Sequence, residues 1–405
     1  MEKRKIVIIG GNYSASIAMA RSIATPDREI TVLKTGKIYN DIKSKIKRKF
    51  IGKPIELTSN SINRLLYTNS NKEQAIIDIL LKDCIDKDNK TILIPIGDLE
   101  NSALDQNYDR LKDYFVFPNV SNKPREITRL MDKSLQKTTA QSYNLNVAKN
   151  YNVKLINGDY IIPNGIEYPV FLKPETSFLG KKTIMRKCNN KEELEEALNE
   201  IKETYKCPVL VEQFIDIERE NAALGYSYNN EVIIPGMIEM LSSGNGRHKG
   251  ITLTGKVISM NKYKDLREKL ISFIKSLNFN GLFDIDLVES KGKIYFVELN
   301  LRFGASGYSI TKSGINLPNM YVNKICGITN ESINTLNENT FISDKVNLEE
   351  FSEGNISWKE YKKAYENSDI RFIKSDSDPK PYKKFKRMEK YAYIKRLIVR
   401  SKKHV

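Results

Sequence analysis

The sequence predicts a mixed fold: an N-terminal parallel α/β lobe, an α+β body with antiparallel sheets, and a basic C-terminal extension. Three observations indicate this. Apolar strands alternate with helices near the N-terminus, strand follows strand in the middle of the chain, and lysine and arginine accumulate at the end. The predicted boundaries are 1–125, 126–335 and 336–405.

The composition is that of a globular protein. The chain has 405 residues, of which 40% are hydrophobic and 29% charged, and this excludes a disordered or collagen-like chain and a small disulfide scaffold. Its four cysteines form no CxxC pair, so we expect neither a zinc site nor a disulfide framework. No apolar run reaches about 18 residues, and the first one is too short for a signal peptide. We therefore expect a cytoplasmic protein.

The N-terminal lobe begins with a strand at 5–10 and a helix at 14–23, followed by strands at 29–34 and 91–97 and a helix at 72–84. The glycine turn IVIIGGNYSAS lacks the GxGxxG pattern, and the second strand ends in Lys34 rather than in an acid. Both features disfavour NAD binding. The turn is either a tight connection or a site that holds part of a substrate.

The middle of the chain changes its pattern. A polar helical segment at 126–150 precedes the predicted strands and helices, which lie at 168–174, 182–187, 191–205, 208–215, 220–228, 231–241, 251–260, 264–277 and 281–299. From about 336 the sequence is polar and less regular.

The segment GLFDIDLVESKGKIYFVELNLRF (281–303) is the most informative. Asp284 and Asp286 alternate with apolar residues and share one face of a strand, and Glu298 and Asn300 share a face of the next strand. Hard oxygen ligands on rigid strands suit Mg²⁺ carried with nucleotide phosphates, so Asp286, Glu298 and Asn300 are the predicted metal ligands. Arg302 could grip a transferred phosphoryl group. The alternative is a hairpin with solvated acids.

This hairpin closely resembles the metal-binding hairpin of the ATP-grasp superfamily. Other segments resemble the remaining parts of that family in the expected order across about 126–310. The matching residues are Lys133 after Asp132 as the early ATP-binding lysine, Lys173 in PVFLKP as the second phosphate-contacting lysine, the loop Glu175–Lys182 as the phosphate cover, Glu212, Gln213, Phe214 and Ile215 in VEQFI as the adenine hinge, and Glu220 as the ribose-binding acid. The covering loop has one glycine, Gly180, where many family members are glycine-rich.

The resemblance implies a two-lobed ATP-grasp domain and an ATP-dependent carboxylate–amine ligase that works through an acylphosphate. It implies ATP and Mg²⁺, with two ions expected and Mn²⁺ as an alternative. The catalytic residues implied are Arg302, Lys173, Arg247 and Lys249; the last two lie in the basic loop GNGRHKG (244–250). A solvated basic loop is the alternative there, and His248 is given no role.

The substrates are less readable. The segments WKEYKKAYENSD and DPKPYKKFKR resemble ligases of the D-aspartate ligase type, which join D-aspartate to a peptidoglycan-precursor amine. We therefore expect a small amino acid and an anionic, amine-bearing acceptor in cell-wall synthesis. A ligase acting on a surface polysaccharide or small peptide is the alternative, and a biotin-dependent carboxylase is a more distant one.

The net charge of +16 is concentrated in the tail. Residues 379–405 hold eleven lysines and arginines against one acid, a net of +10. An apolar stripe at near-helical spacing predicts an interfacial basic helix, formed by Met388, Tyr391, Ile394, Leu397 and Ile398. We expect 380–405 to contact an anionic membrane at its inner face, or else to dock on the protein's own body. No nucleic acid is expected, because no recognisable binding module interleaves aromatics with the basic residues. The oligomeric state is unknown from sequence.

Overall fold

The computed structural model of the protein describes residues 3–36, 54–68, 72–175, 185–204, 207–328 and 335–401. The predicted fold class is confirmed: an N-terminal parallel sheet with helices precedes a small and a large sheet that are mainly antiparallel.

The N-terminal sheet has five parallel strands in the order β3-β2-β1-β4-β5. The strands are β1 (Arg4–Ile9), β2 (Arg28–Lys34), β3 (Arg64–Tyr67), β4 (Thr91–Pro95) and β5 (Phe115–Val116). Alternate residues of β1 enter two different cores: Ile6 and Ile8 on one face, Val7 and Ile9 on the other. Burial on both faces explains the unbroken apolar run of this strand.

In the described part of this lobe, four helices accompany the sheet: α1 (Tyr13–Ile23), α2 (Glu73–Asp83), α3 (Asp98–Gln106) and α4 (Tyr108–Leu111). The Asn12 side chain caps α1 by accepting a hydrogen bond from the Ser14 amide. α1 packs on one face of the sheet, and α2 and α3 pack on the other. The glycine turn after β1 and the start of α3 after β4 therefore lie together at the carboxyl edge of the sheet, where open parallel sheets place their sites.

A short connection leads to the small sheet. It contains β6 (Asn119–Val120), α5 (Glu126–Leu130), α6 (Lys133–Ser142) and β7 (Asn146–Val147). The small sheet has the order β12-β11-β13-β8, and beside it lie a separate hairpin and a helix. These elements are β8 (Asn150–Tyr151), the hairpin β9 (Lys154–Ile156) and β10 (Asp159–Ile161), β11 (Val170–Pro174), β12 (Arg186–Cys188), α7 (Lys191–Thr204) and β13 (Val209–Gln213).

Alternation across the small sheet decides which side chains face the site. Val170, Leu172 and Val211 pack under α7, whose apolar residues recur at helical spacing. The other face of the same strands carries Lys173 and Glu212. Asn190 caps α7, because the Glu193 amide donates to Asn190 Oδ1 over 2.9 Å.

The large sheet has nine strands, with the main path β20-β19-β16-β15-β14-β17-β18-β7 and β6 paired to β17. Its remaining strands are β14 (Arg219–Tyr228), β15 (Glu231–Ser243), β16 (Thr252–Ser259), β17 (Phe279–Ser290), β18 (Lys293–Asn300), β19 (Thr340–Ile342) and β20 (Ile370–Arg371). The helices among them are α8 (Lys264–Ser276), α9 (Tyr308–Lys312) and α10 (Leu317–Ile325). Strand β6 ends shortly before the predicted boundary at 125, and strand β19 begins shortly after the predicted boundary at 335. Both boundaries stay predictions.

The expectation of a less regular region after 336 is wrong for the described residues. Three helices follow β19: α11 (Asp344–Glu353), α12 (Trp358–Glu366) and α13 (Pro379–Ser401). They are held by packed aromatic rings rather than by a regular apolar stripe. The tilted rings of Phe351 and Trp358 have centroids 5.1 Å apart, and those of Trp358 and Tyr393 have centroids 4.9 Å apart. A few large rings bury enough surface to order segments whose average composition is polar. No helix in the described ranges is long and apolar enough to cross a bilayer.

Candidate active site

The candidate site lies where the N-terminal lobe, the small sheet and the large sheet meet. Helix α6 is pinned to β18 by Gln136, whose side chain donates to the Leu299 carbonyl over 2.8 Å and accepts from the Leu299 amide over 2.8 Å. Helix α3 is pinned next to it, because Asn101 Nδ2 donates to the Leu301 carbonyl over 2.6 Å. All three bonds are buried, so they fix two helices against the end of the hairpin.

The hairpin brings the four predicted polar residues together. In the register of β17 and β18, Asp284 opposes Asn300 and Asp286 opposes Glu298. The register shifts just before this pair, where Val297 is an extra residue. In a regular strand, residues three positions apart point to opposite faces, but the extra residue lets Phe296 and Leu299 both enter the core. Glu298 then lies on the face of Asp286.

The carboxylates are crowded. Burial, Asp284 and Glu298 raise the pKa of Asp286 to about 8. Burial also raises the pKa of Asp284 to about 6, although Arg302 opposes the rise. Asp284 Oδ1 is buried and has no hydrogen-bond partner among the residues that the structure describes. A cation among these oxygens would relieve the repulsion, so the donor set fits Mg²⁺, with Asp286, Glu298 and Asn300 as its holders.

Arg302 follows the hairpin and is held by several acceptors. Its Nη1 lies 3.4 Å from Asp284 Oδ2, and its Nη2 lies 3.3 Å from Asn300 Oδ1. Its Nε lies 2.9 Å from Oδ1 of Asp98, the first residue of α3. The sequence analysis missed Asp98, although its place just after a parallel strand was a signal. A β-carbon at Gly304 would lie 2.5 Å from Asp284 Oδ2, so this turn requires glycine.

Three lysines face the hairpin across the cleft. Lys133 Nζ lies 3.3 Å from Glu298 Oε1. Lys173 Nζ lies 2.7 Å from Glu212 Oε2, and Lys137 donates to Glu212 Oε1. Burial lowers the pKa of Lys173 and of Lys137, and a neighbouring lysine lowers each further. Two carboxylates serve these three lysines, and the incomplete compensation in a buried cleft suits a polyanion such as a nucleotide phosphate chain.

Lys137 was not predicted, although it lies one helical turn after Lys133 and so shares its face. Glu212 was predicted as part of the adenine hinge. Its side chain instead lies between two lysines.

The hinge backbone is partly engaged within the chain. The Gln213 amide donates to the Lys149 carbonyl over 2.9 Å, and the Phe214 amide donates to the Pro169 carbonyl over 3.0 Å. The adenine contact is therefore expected at Ile215 and at the hinge carbonyls. Lys187, which the sequence analysis did not select, has its Nζ 4.5 Å from the centre of the Phe214 ring.

Glu220 lies on the site face of the large sheet. Glu220 and Ala222 are two positions apart on β14 and therefore share a face, and Ala222 pairs with Asp286. The Glu220 side chain is exposed. This places its carboxylate on the face of the metal-type ligands, on the hinge side. The covering loop lies outside the described residues except for Glu175, whose carbonyl accepts from the Lys133 amide over 3.1 Å.

The basic loop 244–250 is tied to α11. His248 is buried, with Nδ1 2.5 Å from Glu350 Oε1 and Nε2 3.2 Å from Glu349 Oε2. The Asn245 amide also donates to Glu350 Oε2 over 3.0 Å. Lys249 is exposed, and the side chain of Arg247 lies outside the described part of the chain.

The glycine turn of the N-terminal lobe is closely packed. A β-carbon at Gly10 would lie 2.4 Å from the Ile96 side chain, and one at Gly11 would lie 3.0 Å from the Thr35 carbonyl. Tyr13 follows, and Lys345 of α11 lies over its ring at 5.8 Å. Helix α11 thus contacts both the segment after the glycine turn, through Lys345, and the basic loop, through Glu350.

Comparison with known proteins agrees with this geometry. Residues 138–316 match the model of the ATP-grasp domain. The chain is 27% identical over 249 residues to D-aspartate ligase from Enterococcus faecium, an alignment that covers 57% of this chain and 58% of that protein. The chain thus spans less than two thirds of the length of this relative.

Solved structures share the fold. L-amino acid ligase from Bacillus licheniformis superposes with a TM-score of 0.56 at 16% identity, covering 84% of this chain and 79% of that one. The biotin carboxylase domain of the Hydrogenobacter thermophilus 2-oxoglutarate carboxylase, solved with MgADP, superposes with a TM-score of 0.59 at 15% identity, covering 84% and 73%. The chain therefore contains an ATP-grasp domain at residues 138–316.

Proposed function

We propose that this protein is an ATP-dependent carboxylate–amine ligase that forms an amide bond through an acylphosphate. One observation supports this above all: the cross-strand pair Asp286 and Glu298 faces Lys133, with Lys137 and Lys173 beside it. A cluster of metal-type oxygens opposite phosphate-type cations is the arrangement that phosphoryl transfer requires.

The lysines bind the phosphate chain. Glu212 pairs with both Lys137 and Lys173, so its single carboxylate offsets only part of their charge. Phosphate oxygens entering the cleft take over part of that role, and Lys133 and Lys173 then hold the chain in line for transfer. Mg²⁺ held by Asp286, Glu298 and Asn300 supplies neutralisation of the charge on the β- and γ-phosphates.

Arg302 orients and stabilises the transferred group. A carboxylate oxygen of the substrate attacks the γ-phosphorus, the bond to the ADP oxygen breaks, and an acylphosphate forms. The Arg302 guanidinium, kept in place by Asp98 and Asp284, offers its N–H groups to the developing charge. An amine then attacks the carbonyl carbon, loses a proton and releases inorganic phosphate.

We propose D-aspartate, or a similar small amino acid, as the carboxylate and an amine of a peptidoglycan precursor as the acceptor. The similarity to a D-aspartate ligase over 57% of this chain supports the first choice. The acceptor is a proposal by analogy with the D-aspartate ligase type alone.

The test is an ADP-release assay with separate arms for D-aspartate, L-aspartate, other amino acids and bicarbonate, each with and without a lysine-containing muropeptide. We expect D-aspartate to stimulate ADP release, hydroxylamine to trap the acyl group, and the muropeptide to yield an amide. Stimulation by bicarbonate alone would instead favour a carboxylase, and no stimulation by any carboxylate would refute the ligase.

A further inference from the structure

The outward face of α13 has two halves. At 100° per residue, seven residues between Lys380 and Ile398 fall within about 60° of one line along the helix. They are Lys380, Lys383, Arg387, Lys390, Ile394, Leu397 and Ile398, and all are exposed. The first three turns of this face are cationic, and the following turns are aliphatic. We refer to these seven residues as the outward face of α13.

The opposite side of α13 docks on the body. Phe385 is fully buried, Ala392 is buried, and Met388 packs against the same core. The predicted apolar stripe is therefore wrong at Met388, which faces inward. Because the docked side fixes the roll of the helix, Ile394 and Ile398 stay outward, 46% and 53% exposed.

Among the described residues, no acid forms an ion pair with Lys380, Lys383, Arg387 or Lys390 of this face. Glu389 is the only acid between 379 and 401, and it is buried, with Lys386 as its ion-pair partner. The outward face therefore combines uncompensated positive charge with exposed aliphatic side chains, a combination suited to the boundary of an anionic bilayer.

We propose that the outward face of α13 binds the surface of an anionic lipid bilayer. Lys380, Lys383, Arg387 and Lys390 contact the headgroup phosphates, and the three aliphatic residues enter the acyl boundary. The helix lies along the surface, and the ATP-grasp cleft stays in water.

The charge of the outward face favours an anionic bilayer over a second copy of the chain and over a nucleic acid. A second copy of the chain would bring the same cations, in a tail of net +10, against those already present. A nucleic acid would pair with the cations and leave Ile394, Leu397 and Ile398 in water. An anionic bilayer satisfies both halves of the face.

Flotation of the full-length protein with phosphatidylcholine vesicles, with and without phosphatidylglycerol, tests the proposal. We expect binding only to the anionic vesicles, weakened but not abolished by salt, because the aliphatic contacts are not screened. Ile394→Gln with Ile398→Gln, and separately Lys383→Glu with Lys390→Glu, should each lower the partition coefficient at least about tenfold.

Matched controls separate this face from general stickiness. Ile156→Gln with Ile161→Gln alters two isoleucines of similar exposure, 48% and 52%, in the β9–β10 hairpin. Lys264→Glu with Lys293→Glu makes the same charge change at other exposed sites. Both should bind as the wild type does, and circular dichroism should show that all variants are folded. Absence of wild-type binding, equal losses in the controls, or a dimer abolished by the Ile394 and Ile398 changes without vesicle binding would overturn the proposal.

Discussion

Arg302 and Asp98 form a two-point ion pair between the ATP-grasp hairpin and the N-terminal lobe: Nε lies 2.9 Å from Oδ1, and Nη2 lies 3.4 Å from Oδ2. Asp98 begins α3, and Asn101, one turn later, fixes that helix to the Leu301 carbonyl. The N-terminal lobe therefore orients the Arg302 guanidinium, to which we assign the stabilisation of the transferred phosphoryl group.

Asp98→Asn should lower kcat about tenfold while changing the KM for ATP by less than about twofold. The amide keeps the shape of the side chain but loses the charge that aligns Arg302, whose role lies mainly in the transition state. Steady-state kinetics would measure this, with Asp109→Asn, an exposed acid of the same lobe paired to Lys112, as the control. An unchanged kcat, or an equal loss in the control, would contradict the positioning role of Asp98.

Glu298→Gln should lower turnover by about 10³-fold. The amide removes one negative oxygen from the proposed metal set and the partner of Lys133. Single-turnover ADP formation would isolate the chemical step. Glu289→Gln is the matched control, since Glu289 lies on the same hairpin but pairs with Arg219. Turnover of Glu298→Gln within about twofold of wild type would refute the mechanism.

Glu212→Gln should lower the free energy of unfolding of the nucleotide-free protein by about 3–5 kcal/mol. Lys137 and Lys173 are buried and would lose their shared carboxylate. Saturating MgATP should recover part of that loss, because phosphates replace the missing charge. Urea unfolding with and without nucleotide measures both effects, and Glu200→Gln, an exposed partner of Arg186, is the control. A loss that MgATP leaves unchanged would argue against phosphate binding at these lysines.

The residues that could be predicted are those whose position follows from local alternation. Asp286 and Lys173 lie on strands, where a period of two decides the face once the apolar side is known. Asp98 is different, because it meets Arg302 across 204 positions of sequence and no local pattern encodes that contact.

Two other features could not be predicted from the sequence for the same physical reason. The His248–Glu350 contact joins residues 102 positions apart. The C-terminal helices depend on a few packed aromatic rings, such as Phe351 and Trp358, within a polar composition, and periodicity does not predict such burial.

His248→Ala should raise the KM for the carboxylate or the acceptor several-fold and leave the KM for ATP nearly unchanged. The contact with Glu350 anchors the loop that presents Lys249, on the side of the glycine turn rather than the hinge. Glu350→Gln should act in the same direction, and the double variant should be little worse than either single one, since both changes release one anchor. Additive effects, or a raised KM for ATP, would show that the loop is not held in this way.

Asp286→Asn should stabilise the free protein at high pH. Burial, Asp284 and Glu298 raise the pKa of Asp286 from 3.8 to about 8, so the folded state binds its proton more tightly than the unfolded state does. The resulting stability is present below about pH 4 and is lost as the pH rises through about 8. In the absence of Mg²⁺ and nucleotide, the free energy of unfolding of the variant should exceed that of the wild type by about 1–3 kcal/mol near pH 8.5, with a much smaller difference near pH 4.

Urea unfolding at the two pH values measures this, with the exposed Asp265→Asn as a control that should show no such dependence. Added Mg²⁺ should then stabilise the wild type and not the variant, because only the wild type retains the carboxylate proposed to hold the ion. Equal stability of variant and wild type near pH 8.5 would mean that Asp286 is not strained by its neighbours.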